Sequence, residues 1–277
     1  MHKNTRKSAI QKFAAYLLLV ATVTVMAIPV YWIIVTASLP EEVYLEGGLH
    51  LLPGGHFIQN FIKLENNIDF VKSIWHSVLV AVVYTVLSLF LCSMGGFAFA
   101  KYEFRYKKPL FYFILAIQVL PIQILVIPYF LMVSKLNLAN TFTAIILPYA
   151  AHPLGIFLMR QNMRKIPDSL LESARMDGAT EFQLFYRIGL PTMKSSVAAL
   201  GIILFLFQWN LFLFPLVILR EGKYTIPLAI SQLVRVGRVQ VDQIMVAASL
   251  ALIPLFLVFI VLQKYFVQGI LAGSVKE

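Results

Sequence analysis

Six stretches of this sequence contain no Asp, Glu, Lys or Arg: Phe13 to Leu39, Ser73 to Ala100, Leu110 to Ser134, Leu136 to Met159, Ser195 to Leu219 and Gln243 to Gln263. Each is at least as long as the roughly 20 residues that a helix needs to cross a hydrocarbon core. Backbone amides find no water inside a bilayer, so such a chain is restricted to helices that satisfy their own hydrogen bonds. The expected fold is an all-α integral membrane protein of six transmembrane helices, read as a single transmembrane domain over residues 1–277. Composition agrees: 60% of residues are hydrophobic, 13% are charged, and the mean hydropathy is +0.81.

Basic residues set the expected orientation, because cytoplasmic segments keep Lys and Arg. With the amino terminus inside, 16 of the 23 Lys and Arg residues fall on the cytoplasmic side and 7 outside, which places both termini in the cytoplasm. The net charge of +10 follows from that bias and carries no nucleic-acid signature. The first apolar run is too long for a cleaved signal peptide and is read as a retained span. Cys92 is the single cysteine, so no disulfide forms within the chain. His50, His56 and His152 show no metal-ligand spacing, and no metal site is expected.

Within the second span Ser88, Cys92, Gly96 and Ala100 recur every four residues, a stripe of small side chains that lets another helix approach closely. Pro29, Pro121, Pro128, Pro148, Pro153, Pro215 and Pro254 fall inside spans, where each removes a backbone donor and favours a bend. The longest external loop, 40–72, carries five acidic residues and a Pro53-Gly54-Gly55 turn. No span carries an Asp, Glu, Lys or Arg of the kind that ion-coupled carriers hold near midplane. No GxxxxGK[ST] phosphate loop occurs either, so this chain is not expected to hydrolyse nucleotide. Energy for uphill transport must then come from a partner.

The loop at about 160–194 is where a partner can dock. Asp168 is expected to cap a helix, with Glu172 in its first turn and Leu170, Leu171 and Ala174 on one arc. Asp177-Gly178 should break it, with Gly178 in a turn that demands positive φ. Thr180 followed by Gln183 matches a capping box that starts a second short helix. On that helix Phe182, Phe185 and Tyr186 are expected on one side and Leu184 and Ile188 on another, ending at Pro191. A helix resting on lipid needs a single apolar face and a basic polar one. Here Glu172, Asp177 and Glu181 nearly offset Arg175, Arg187 and Lys194, which favours docking on protein.

These residues also carry a resemblance. Glu172-Ser173-Ala174, Asp177-Gly178-Ala179, Phe185, Ile188 and Leu190-Pro191 resemble the EAA loop of ABC importer permeases, with Ser173 in place of the usual second alanine. Phe97 to Arg105, Pro148 to Arg160, Gln208-Trp209-Asn210 and the ending Val267 to Lys276 are similar to segments of carbohydrate permeases, the last to the maltose-type permease known as the G subunit. The resemblance implies the type I importer permease fold and a permease subunit that forms half of a translocation pathway in the inner membrane, with alternating access driven by ATP. It implies four kinds of partner: a second permease subunit, two ATPase subunits holding ATP and magnesium, an extracytoplasmic solute-binding protein and the lipid bilayer. ATPase coupling is then assigned to Glu172, Ala174, Asp177, Gly178, Ala179, Phe185, Leu190 and Pro191. The tail at about 264–277, through Gln268, Gly269 and Lys276, is expected to reach the ATPase, and the loop from Arg220 to Asp242 to face the binding protein. Sugars suit aromatic faces and amides, so Gln118, Gln123, Tyr149, Gln208, Trp209 and Asn210 are candidate pathway residues. The alternative is a secondary carrier or channel that works without ATP.

Overall fold

The computed structural model describes residues 3–46, 50–235 and 238–274, with side chains for 11–43, 50–234 and 239–264. The helices are α1 (Lys3–Ala37), α2 (Glu41–Glu46), α3 (Phe57–Ile68), α4 (Phe70–Lys101), α5 (Lys107–Ile117), α6 (Val126–Lys135), α7 (Phe142–Ile146), α8 (Pro153–Met163), α9 (Asp168–Met176), α10 (Glu181–Gln183), α11 (Leu190–Thr192), α12 (Lys194–Trp209), α13 (Leu213–Ile218), α14 (Ile226–Ser231) and α15 (Val241–Ser274). An antiparallel pair, β1 (Val234–Arg235) and β2 (Arg238–Val239), is the one pair of strands among the described residues. The chain divides into two compact units. One holds the chain up to Phe70 with Ile230–Leu252, the other Val71–Ala229 with the chain from Ile253.

In the first unit the external loop folds back on the end of α1. The Ser38 hydroxyl donates to the Val35 carbonyl at 2.6 Å and accepts from the Gly54 amide at 2.8 Å. The buried Asn60 amide donates to the carbonyls of Ala37 and Leu39 at 3.0 and 2.8 Å. These bonds satisfy carbonyls that α1 leaves without partners at its end. Most of the loop is thus helical, in α2 and α3. Asn67 of α3 donates to Gln243 of α15 at 2.8 Å.

In the second unit the small-residue stripe of α4 packs on α8. Ser88, Cys92 and Gly96 are buried, and a Cβ added to Gly96 would lie 2.5 Å from Met159 Cβ and 2.8 Å from the Arg160 amide nitrogen. Contact that close is open only to glycine. Around this seam Phe97, Met159, Met163, Leu171, Leu184, Leu200 and Leu204 form the core.

Three of the expected spans are not continuous helices: the fifth is interrupted between Trp209 and Leu213, and the third and fourth are bent sharply. The third is broken between Ile117 and Ile122 with a bend of 95°, and the fourth between Tyr149 and Pro153 with a bend of 44°. The cause of these two bends is proline. Pro121 has no amide hydrogen to offer Ile117, its ring crowds that carbonyl, and it drives Leu120 out of the helical region. Pro153 starts α8 at the position where the missing donor costs nothing. Pro29 and Pro254, by contrast, lie within α1 and α15 without ending them. Among the described residues, four helical segments are long and apolar enough to cross a membrane, and up to six spans result when each bent pair counts as one.

Candidate functional site

The elbow between α8 and α12 begins at Pro167, whose extended backbone caps α9 in place of the expected Asp168. Asp168 is instead the first helical residue, and its carboxylate accepts from Lys101 Nζ at 2.7 Å. Glu172 is consequently the fifth residue, one position beyond the first turn, and it is solvent-exposed. Leu171 is buried and Ala174 half-buried, whereas Leu170 is exposed, so the inward arc is narrower than the sequence suggested.

The end of α9 is a Schellman motif. The Ala179 amide donates to the Ala174 carbonyl at 3.0 Å and the Gly178 amide to that of Arg175 at 2.9 Å. Gly178 sits at φ +85°, as its place in the sequence required. Ala174, three residues before Asp177, and Ala179, one residue after Gly178, are the two ends of the longer of these bonds. Glu181 then opens the second arm under a complete capping box. Gln183 N donates to the Thr180 hydroxyl at 3.3 Å, and Thr180 N to the Gln183 side chain at 2.8 Å.

Past Gln183 the chain widens into a π-helical turn, Leu184–Gly189, before α11. The expected grouping of Phe185 with Phe182 and Tyr186 holds in part: the Phe182 and Phe185 rings stay 6.1 Å apart, but Phe185 turns inward while the other two stay exposed. Phe185 is 3% exposed and packs on Phe97 of α4 at 5.7 Å between ring centroids, while Phe182 and Tyr186 are 58% and 62% exposed. Their rings lie parallel to within 4°, 6.5 Å apart. The wider turn permits this separation, which the spacing of an ordinary helix conceals. Leu190 is half-buried and Pro191 exposed, and the arm continues to Thr192 rather than stopping at the proline.

Glu181 is the electrostatic centre of the elbow. Arg175 donates to it through Nε at 2.9 Å and Nη2 at 3.2 Å, and the Tyr102 hydroxyl donates to the same carboxylate. The guanidinium bonds, then the tyrosine bond, hold the Glu181 carboxyl below its usual range. Lys101 does the same for Asp168. Loss of water, followed by the neighbouring carboxylate, pushes Tyr102 up to about 12. Tyr102 lies within the Phe97 to Arg105 segment with no local pattern to mark its role, and none marks Lys101 as the partner of Asp168. The one local signal was the pair of opposite charges at Arg175 and Glu181, six residues apart across a turn.

The pathway candidates separate into three groups. Gln118 and Tyr149 line a cavity of about 460 Å³, together with His152, Tyr129 and Phe207. Gln123 and Asn210 line a second, of about 520 Å³, that shares Ile122 and Phe207. Gln208 and Trp209 line neither: Gln208 is buried and donates to the Ile145 carbonyl at 3.4 Å, and Trp209 is stacked on Phe205. Asn210 donates to the Leu206 carbonyl at 2.8 Å. The Tyr149 hydroxyl and His152 Nδ1 are buried without a hydrogen-bond partner. Among the described residues no group of three or more His, Cys, Asp or Glu side chains is placed to hold a metal. Gln268 and Gly269 lie on the backbone of α15 with side chains outside the described residues, and Lys276 lies wholly outside them.

Residues 92–272, which contain the elbow and both cavities, match the family described as the binding-protein-dependent transport system inner membrane component. The chain belongs to that family. It is 34% identical to the arabinooligosaccharides transport system permease protein AraQ of Halalkalibacterium halodurans, with 90% of each chain covered. It is 32% identical to the lactose transport system permease protein LacG of Rhizobium radiobacter, again over 90% of each. With the sn-glycerol-3-phosphate transport system permease protein UgpE of Brucella abortus it shares 28% identity over 94% of this chain and 96% of the relative. In fold it resembles a chain of a bacterial ABC transporter involved in the import of the polysaccharide alginate, with a TM-score of 0.77 at 23% identity, covering 94% of this chain and 98% of that one. The fold is thus that of an ABC importer permease, and the protein is a membrane-embedded permease subunit of a binding-protein-dependent importer.

Proposed function

We propose that this permease imports a carbohydrate, and that ATP turnover in two cytoplasmic ATPase subunits, where ATP and magnesium reside, drives it through the elbow. The observation that carries the reading is the division of the elbow's apolar residues. Leu171, Leu184 and Phe185 anchor it to the core, while Met176, Phe182 and Tyr186 are exposed, as is Glu172. An exposed apolar surface with charged neighbours fits a protein partner. Glu172 is the polar anchor on the ATPase, Gly178 sets the bend, and Asp177, Leu190 and Pro191 edge the docking face. Ala174, Ala179 and Phe185 support it from within. The tail, through Gln268, Gly269 and Lys276, adds a second ATPase contact.

In this reading both termini are cytoplasmic in the inner membrane, the Arg220 to Asp242 loop meets an extracytoplasmic solute-binding protein, and a second permease completes the pathway. A solute-binding protein is in keeping with an alginate transporter crystallised with its pentasaccharide-bound periplasmic protein, a chain of which shares this fold. Gln118 and Tyr149 in one cavity and Gln123 and Asn210 in the other are the pathway groups. Carbohydrate as the solute class rests on the arabinooligosaccharide and lactose relatives. The test is uptake by proteoliposomes holding this chain, the second permease and the ATPases, with the binding protein added outside. Labelled arabinose oligosaccharides, lactose and glycerol-3-phosphate are the panel. A sugar taken up only with ATP inside supports the reading. Equal uptake without the ATPases, or no uptake of any sugar, overturns it.

A further inference from the structure

The covalent chain joins the elbow to α8 through residues 164–167 and to α12 through Met193, and to no other span. The exit of α4 nevertheless reaches both arms. Lys101, its last residue, bonds the Asp168 carboxylate at the start of the first arm and also donates to the Ile166 carbonyl just before it. The Lys101 side chain is 4% exposed, so this ammonium has traded water for those two acceptors. The next residue, Tyr102, donates to Glu181 at the start of the second arm. Glu181 also receives the two-pronged bond from Arg175 at the end of the first. One carboxylate therefore gathers three segments: α4, α9 and the second arm.

Apolar contacts support the polar ones from behind. The Phe97 ring meets Tyr102 edge-on at 5.7 Å and Phe185 at the same distance. A Cβ on Gly189 would stand 3.2 Å from that ring, so the second arm lies directly against it. On the far side Arg160 of α8 donates to the Phe99 carbonyl at 3.3 Å and covers the Phe111 ring at 3.9 Å.

We propose that Lys101 and Tyr102 clamp both arms of the elbow to α4, so that a displacement at the docking face moves α4 together with α8 and α12. Both are positioning residues. They touch no solute; they fix the angle between the two arms and fasten that angle to a span the chain itself does not connect. The glycine seam joins α4 to α8 alone; the second arm meets α4 through the Phe97–Phe185 contact, which can slide, and through the Tyr102–Glu181 bond, which is directional and fixes the arm's angle. The proposal rests on the coupling role of the elbow, and its test separates the two.

The experiment is hydrogen exchange on the assembled importer in nanodiscs, without nucleotide and with a non-hydrolysable ATP analogue. It compares wild type with Tyr102→Phe, which keeps the ring against Phe97 and removes only the hydroxyl, and with Glu181→Gln. In wild type the analogue should change exchange both in residues 168–192 and in the last turn of α4. In Tyr102→Phe the elbow should still respond while the change at α4 shrinks about tenfold, the scale of one hydrogen bond to a charged group. Arg175→Lys keeps the charge but loses the fork, and should give an intermediate loss. An elbow that responds with no change at α4 in wild type overturns the clamp alone. An α4 response that survives intact in both Tyr102→Phe and Glu181→Gln does the same. A wild-type elbow silent to the analogue overturns the coupling reading and the clamp with it.

Discussion

Gly178 offers a quantitative test of the elbow, because the cost of replacing it is confined to the backbone. A Cβ added there meets nothing within 4 Å, so size is irrelevant. What remains is φ +85°, which costs an L-residue about 1–2 kcal/mol. Gly178→Ala should therefore shift the balance away from the bent elbow by about 5- to 30-fold. Gly178→Asn should lose less, since asparagine tolerates this region. Gly178→Pro locks φ near −65° and deletes the amide that donates to Arg175, so it should lose the bend altogether, at a cost of about 3 kcal/mol or more. On the proposed coupling role, the assay is the affinity of the protein for the ATPase of the proposed importer, measured by titration in detergent, with membrane insertion checked separately. Affinity should fall in the order Gly, Asn, Ala, Pro. Equal binding by the alanine and proline variants, or an order that follows side-chain size, would refute the argument.

Two further outcomes follow from contacts described above. Gly96→Ala forces a Cβ against the backbone of α8 and should lower stability by about 1–3 kcal/mol. Gly95→Ala meets only the Ile156 side chain, at 3.6 Å, and should be nearly neutral, so thermal unfolding of the two variants side by side checks the seam. Acid should loosen the elbow in a defined window. Glu181 and Asp168 both have carboxyls held below their ordinary values of 4.5 and 3.8. Their bonds are then fully present above those values and are lost only as pH falls through the depressed ones. Exchange protection of residues 168–192, corrected for intrinsic rate, should stay flat down to about pH 5 and drop below it. A drop between pH 7 and 5 would point to a different group.

The sequence exposed whatever local chemistry decides. Absence of charge marked the spans, and Gly178 and the Thr180–Gln183 pair announced a left-handed turn and a capping box that depend on few residues beyond their own neighbours. The stripe from Ser88 to Gly96 was visible because helical periodicity alone aligns it. Other features depend on distant chain. Lys101 takes Asp168 from its expected capping role across 67 positions of sequence, and no local pattern encodes that. Phe185 turns inward because Phe97 receives it and a π-helical turn allows it. Gln208 and Trp209 have the right chemistry for sugar, but neighbouring helices use it for packing. Pro121 signalled a bend in the third span, while the 95° angle is set by what surrounds it.

That bend has a thermodynamic corollary. Between Ile117 and Ile122 the backbone makes only short-range turn bonds, and Val119 is 81% exposed. Hydrocarbon tolerates such a stretch only where neighbouring protein shields it or water reaches it. Lipid packed directly against this stretch would carry an energetic penalty. The crease is therefore expected to face protein or water rather than lipid, so the bend that shapes the span also restricts which side of it can meet the hydrocarbon.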